Sequence, residues 1–116
     1  MEFKELVGKV FTKIENIDNE EIIFNTVDEK FKLYHQQNCC ESVTVEDVIG
    51  DLDDLLNNPI LLAEEVENEP KEIEYGDSET WTFYKLSTIK GSVTIRWLGS
   101  SNGDYSESVD FIKLSS

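Results

Sequence analysis

Histidine and arginine each occur once in this 116-residue chain, as His35 and Arg96, and cysteine occurs only as the adjacent pair Cys39-Cys40. A disulfide framework needs several spaced cysteines, and structural zinc sites use ligand pairs separated by a few residues, so neither pattern is written here. Two adjacent free thiols fit a reducing compartment, and a cytoplasmic setting is expected. No apolar run approaches the length of a membrane span, so no membrane association is expected. The opening MEFKELVGKVF has no basic start, long apolar stretch or small-residue cleavage site, so no signal peptide is expected. With only two prolines and twelve aromatic residues, the composition is that of a globular chain. At this length it reads as one domain, residues 1–116, able to bury a core without staples.

Basic residues are also scarce: ten against twenty-five acids, a formal net charge of −15. The imbalance is uneven. Residues 1–50 hold five lysines against eleven acids, and residues 51–77 hold one lysine against ten. Residues 78–116 are balanced at four and four. Such a field repels nucleic-acid phosphates and anionic membranes, so neither is an expected partner. It suits a basic protein, and it also serves plain solubility. It sets no oligomeric state.

Two-residue alternation is the dominant pattern. Val10, Thr12 and Ile14 share one face of a first strand; Ile22, Phe24 and Thr26 share one of a second. Phe31, Leu33 and His35 line a third, after a turn at Asp28-Glu29. Ser42–Ile49 is β-prone. Glu79–Ile89 is rich in Thr and aromatics, with Trp81 and Phe83 opposite Thr82 and Tyr84. Lys90-Gly91 marks a tight turn into Ser92–Leu98, and Asn102-Gly103 is a strong hairpin signal before a closing strand, Glu107–Leu114. Short helices are expected at residues 2–7, stopped by Gly8, and after an Asp51 N-cap, with Leu52, Leu55 and Leu56 inward. Ile60–Val66 fits helix or strand, and Glu67–Ser78 fits an exposed loop. The expected class is α+β: mostly antiparallel sheet of about six to eight strands in a meander, with one or two short helices.

The chemistry-bearing residues crowd into YHQQNCCES, residues 34–42. Adjacent cysteines in extended chain point to opposite faces. One of Cys39 and Cys40 could still meet a metal with His35 across a turn, Glu41 or Asp47 completing the set. A thiol–imidazole pair is the second reading. It needs a positive neighbour to lower the thiol pKa, and the local charges at Glu41, Glu46 and Asp47 are negative. The third reading is structural: His35 closes a strand, one cysteine is buried and the other faces the loop. The residues favour the third, with no catalytic residue and no cofactor expected. Asp51-x-Asp53-x-x-x-Asn57 fails as a calcium loop, with Leu56 where glycine is needed and Leu62 where a bidentate glutamate is needed. Gly99-Ser-Ser-Asn-Gly lacks the lysine and following helix of a phosphate loop. Trp81, Tyr84, Trp97 and Tyr105 read as core in the main. Arg96, Asn102, Asp104 and Tyr105 form a candidate recognition surface.

Two longer segments, YHQQNCCESV with VEDVIGDLDDL and WTFYK with RWLGSSNGDYSESV, resemble a family of small uncharacterised proteins of phages, prophages and their bacterial hosts. The resemblance spans nearly the whole chain. It implies a domain of unknown function in a phage-related, cytoplasmic setting and assigns no activity. That family often carries Asp before the cysteines where this chain has Asn38, which removes one acceptor. The resemblance also suggests that the two segments dock, Arg96 pairing with Glu41 or Asp47. The expected role is a non-enzymatic interaction domain for a protein partner. A small metal- or thiol-dependent enzyme and a phage assembly accessory are the alternatives.

Overall fold

The computed structural model describes residues 2–36, 41–68, 71–72, 78–101 and 108–115. The expected strand periods appear as two antiparallel sheets. The first has the order β1-β2-β3-β9, built from Lys13–Ile17, Glu21–Asn25, Lys30–Tyr34 and Asp110–Ser115. The second has the order β4-β8-β7-β5, from Ser42–Ile49, Gly91–Ser101, Ser78–Thr88 and Leu62–Glu67, with the short β6, Lys71–Glu72, also pairing with β7.

The α+β expectation is overturned: among the described residues the only helical segments are two single 3-10 turns, Phe3–Leu6 and Leu52–Leu55. Both are too short for an α-helical ladder and close with i→i+3 bonds instead, Glu5 N to Glu2 O at 3.1 Å and Asp54 N to Asp51 O at 3.0 Å. Gly8, at φ +91°, ends the first turn. The Asp51 side chain caps the second by accepting from Asp53 N at 2.9 Å. Of the three leucines expected to face inward, Leu55 is fully buried while Leu52 and Leu56 are half-buried. The ambiguous stretch after Ile60 becomes strand because Leu62–Glu67 pairs residue by residue with Ser87–Thr82 of β7. Val10 and Phe11 make only isolated bridges, to Pro59 and Leu56, so the first strand starts later than alternation suggested. The closing strand β9 does not continue the meander beside β8; it crosses to the other sheet and pairs with β3, Leu33 opposite Phe111.

The apolar faces of the two sheets meet in one core. Phe31 and Leu33 face inward from β3, Phe24 from β2, Tyr84 from β7 and Trp97 from β8, all at or near zero exposure. Phe3, on the first 3-10 turn, sits among them. Its ring lies 4.8 Å from Tyr84, 5.3 Å from Phe111 and 6.2 Å from Phe24, so one side chain touches both sheets. The β1–β2 turn uses Asp18 and Asn19 at positive φ, residue types that tolerate it, and Asn19 O accepts from Val45 N of β4 at 2.6 Å. The sheets are therefore tied by backbone as well as by packing.

Candidate functional site

Strand parity decides where His35 goes. It follows Phe31 and Leu33 on the inward face of β3, and its side chain is 5% exposed. There the chain leaves the first sheet for the second, and Glu41, just before β4, is on the far side of that crossover with its side chain at 0% exposure. His35 Nε2 lies 3.2 Å from Glu41 Oε1, and Nδ1 lies 2.7 Å from the Ser108 carbonyl, on the return crossover into β9. A carbonyl only accepts, so Nδ1 donates to it and carries a proton. With Nδ1 committed, Nε2 is left facing the Glu41 carboxyl. Both ring nitrogens thus have a partner within the fold. What this arrangement does chemically is to join the two crossovers at one corner of the fold.

Cys39, Cys40, Asn102, Asp104 and Tyr105 lie outside the described residues. Among the described residues no three His, Cys, Asp or Glu side chains gather in a way that could hold a metal ion. Asp47, the remaining candidate ligand, is on the outward face of β4 and not with His35. A bulge between Val45 and Asp47 places it opposite Arg96 of β8. Arg96 Nη1 is 3.7 Å from Asp47 Oδ2, a long, half-exposed ion pair. Of the two carboxylates suggested for Arg96, Asp47 is the one beside it. The segments YHQQNCCESV and RWLGSSNGDYSESV run together where both are described, Ser42 opposite Ser100 and Val43 opposite Gly99.

Arg96 also belongs to a surface that the aromatic content alone did not reveal. Trp81 and Phe83 are half-buried on the outward face of β7, while Thr80, Thr82 and Tyr84 point inward. Their rings stack 6.2 Å apart at 7°, and the Arg96 guanidinium carbon lies 4.8 Å from the Trp81 centroid and 5.8 Å from that of Phe83. Cross-strand neighbours extend the patch: Val66 of β5 beside Phe83, and Leu98 of β8 beside Trp81. The sequence did hold a signal. Glu79 and Lys85 share the parity of Trp81 and Phe83, and a face carrying both charges is the solvent face. Tyr84 and Trp97 are core, as expected of most of that aromatic set.

Residues 4–111 match a family described as a domain of unknown function, DUF7448. The chain belongs to that family. No curated protein and no solved structure matches it. For this DUF7448 domain, no helix among the described residues is long and apolar enough to cross a membrane. Family membership assigns it no activity, so a functional reading rests on the two features above: a closed His35–Glu41 corner and an open aromatic face on the second sheet.

Proposed function

We propose that this domain is a non-enzymatic protein-interaction module that binds a basic partner in the cytoplasm of a phage-infected or prophage-carrying bacterium. The outward Trp81–Phe83–Arg96 cluster carries the reading. Aromatic side chains with an arginine among them are the residue types enriched at binding hot spots, and here they share a sheet face with half-buried Val66 and Leu98. Net charge supplies the partner's sign: at −15, long-range attraction favours a basic protein. The phage setting rests on the likeness of YHQQNCCESV and RWLGSSNGDYSESV to phage and prophage proteins, and the cytoplasmic setting on a cysteine pair without the spacing of a disulfide framework.

An enzyme built on His35, Cys39, Cys40 and Glu41 is the weaker reading, because the imidazole already spends both nitrogens on Ser108 and Glu41. The test is a pull-down from host lysate at low and high salt, with Trp81→Ser as the comparison. The reading expects a basic protein captured by wild type at low salt and lost both in the variant and at high salt. No captured protein, or capture indifferent to Trp81, overturns it. Concentration-dependent self-association in sedimentation would favour the assembly-accessory alternative instead.

A further inference from the structure

The two sheets do not close on each other along their whole border. On one side the edge strand of the second sheet, β5, and the edge strand of the first, β9, flank an open cleft of about 540 Å³. The first 3-10 turn fills part of the seam, so Phe3 and Ala63 with Val109 and Phe111 form an apolar floor, all four buried or half-buried. Glu65 and Asp110 stand at its walls. Glu65 has the parity of the buried Ala63, so it turns toward the seam yet remains exposed, which marks the seam as open to solvent. The one lysine of the lining, Lys4, is engaged by Glu2 at 3.1 Å, whereas Glu65 and Asp110 have no cationic partner among the described residues. Beneath Phe3, the Tyr84 hydroxyl is buried, with the Glu65 carboxylate as its neighbour. Burial raises its pKa well above the usual phenol range, and Glu65, Glu67 and Asp110 raise it further, so their negative charge converges on this seam.

We infer that this cleft binds an ammonium group carried on an apolar stem. Its volume is that of a small-molecule site, its floor is apolar, and the charges that lack an oppositely charged partner among the described residues are anionic on both walls. An ammonium offers three donors and can meet a carboxylate on each side while its stem lies along Phe3 and Phe111. An anion is repelled, a neutral stem leaves Glu65 and Asp110 without a counter-charge, and a second copy of a chain at −15 brings the wrong sign. The site lies between the sheet edges, away from the Trp81 face, and stands or falls independently of the interaction reading. The ammonium could be that of a free amine or of a lysine side chain on a partner, and the chemistry is shared.

The full chain is titrated with 2-phenylethylammonium, and the methyl resonances of Ala63 and Val109 are followed by NMR beside two isosteres, 3-phenylpropionate and 2-phenylethanol. Saturable shifts are expected with the ammonium and not with the isosteres. Glu65→Gln and Asp110→Asn, both exposed positions, should each weaken binding roughly three- to fivefold, as for a partly solvated ion pair. A blocked lysine amide forms a second arm: tighter binding than the free amine assigns the site to a partner's lysine, and weaker binding to a small amine. Equal shifts with 3-phenylpropionate, absence of saturation, or unchanged affinity in both variants overturns the inference.

Discussion

Replacing His35 by alanine tests whether the histidine–cysteine segment is architecture. The imidazole is 5% exposed and the Glu41 side chain fully buried, so the variant strips a buried carboxylate of its imidazole and the Ser108 carbonyl of its Nδ1 donor. Breaking one side of a buried pair costs about 3–5 kcal/mol. The Nε2–Oε1 separation of 3.2 Å is longer than the roughly 2.7–2.9 Å of the strongest charge-assisted bonds, which points to the lower end, about 3 kcal/mol. A domain of this size has about 6–17 kcal/mol in total, so the loss is a large share. Urea unfolding should show a lower midpoint with unchanged slope, and thermal melts a fall of about 12 °C. Glu41→Gln is the informative control. Its amide N–H can donate to Nε2 while Nδ1 stays on Ser108, so it should cost only about 1 kcal/mol. A His35→Ala cost below about 1 kcal/mol, or zinc stabilising wild type but not the variant, refutes the argument.

Other expectations follow from single contacts. Tyr84→Phe removes a buried hydroxyl whose contact with Glu65 falls short of a well-aligned hydrogen bond and keeps the ring on Phe3, so it should change stability by no more than about 1 kcal/mol in urea unfolding; a larger loss is the contrary result. Glu29 is held by Lys9 at 2.8 Å and Lys113 at 3.1 Å, and these two ammonium groups, Lys9 first, lower its pKa. Its contribution is therefore present above the unfolded carboxyl's pKa and lost as pH falls through the folded one; the urea midpoint of Glu29→Gln should fall less steeply with acidification than wild type, and parallel curves contradict this. Gly50 has φ +107° and an added Cβ would stand 2.6 Å from the Ser92 carbonyl, so Gly50→Ala should cost well over about 1 kcal/mol, measured as a drop in Tm; an unchanged Tm contradicts the clash.

The strands were legible because alternation is a backbone property: Phe31, Leu33 and His35 share a face whatever lies opposite. That parity also carried His35 to its buried position. Its partners were less legible. The Ser108 contact is to a backbone carbonyl, which leaves no residue signature, and it forms only because β9 crosses back to the first sheet. Nothing local in Asp110–Ser115 says which sheet edge it will join, so the meander was the simplest and the wrong continuation. Capping and glycine signals marked the two turns correctly, but with only four residues in each they close as 3-10 and never reach α. Trp81 misled by hydrophobicity, since Thr80 and Thr82 share the inward face of β7 with Tyr84 while Trp81 stacks on Phe83 outside, under Arg96.

The pairing of Lys30–Tyr34 with Asp110–Ser115 has a consequence in time. β3 is made before its neighbour, with β4 to β8 synthesised in between, so the β3 edge, with Phe31 and Leu33 beside it, waits unpaired while the second sheet is made. Loop closure over so long a separation is slow, and the β3 edge is open meanwhile to a chaperone or to a mispairing neighbour on a polysome. Since the His35–Ser108 bond forms at this same junction, the docking of β9 and the locking of the corner are one event.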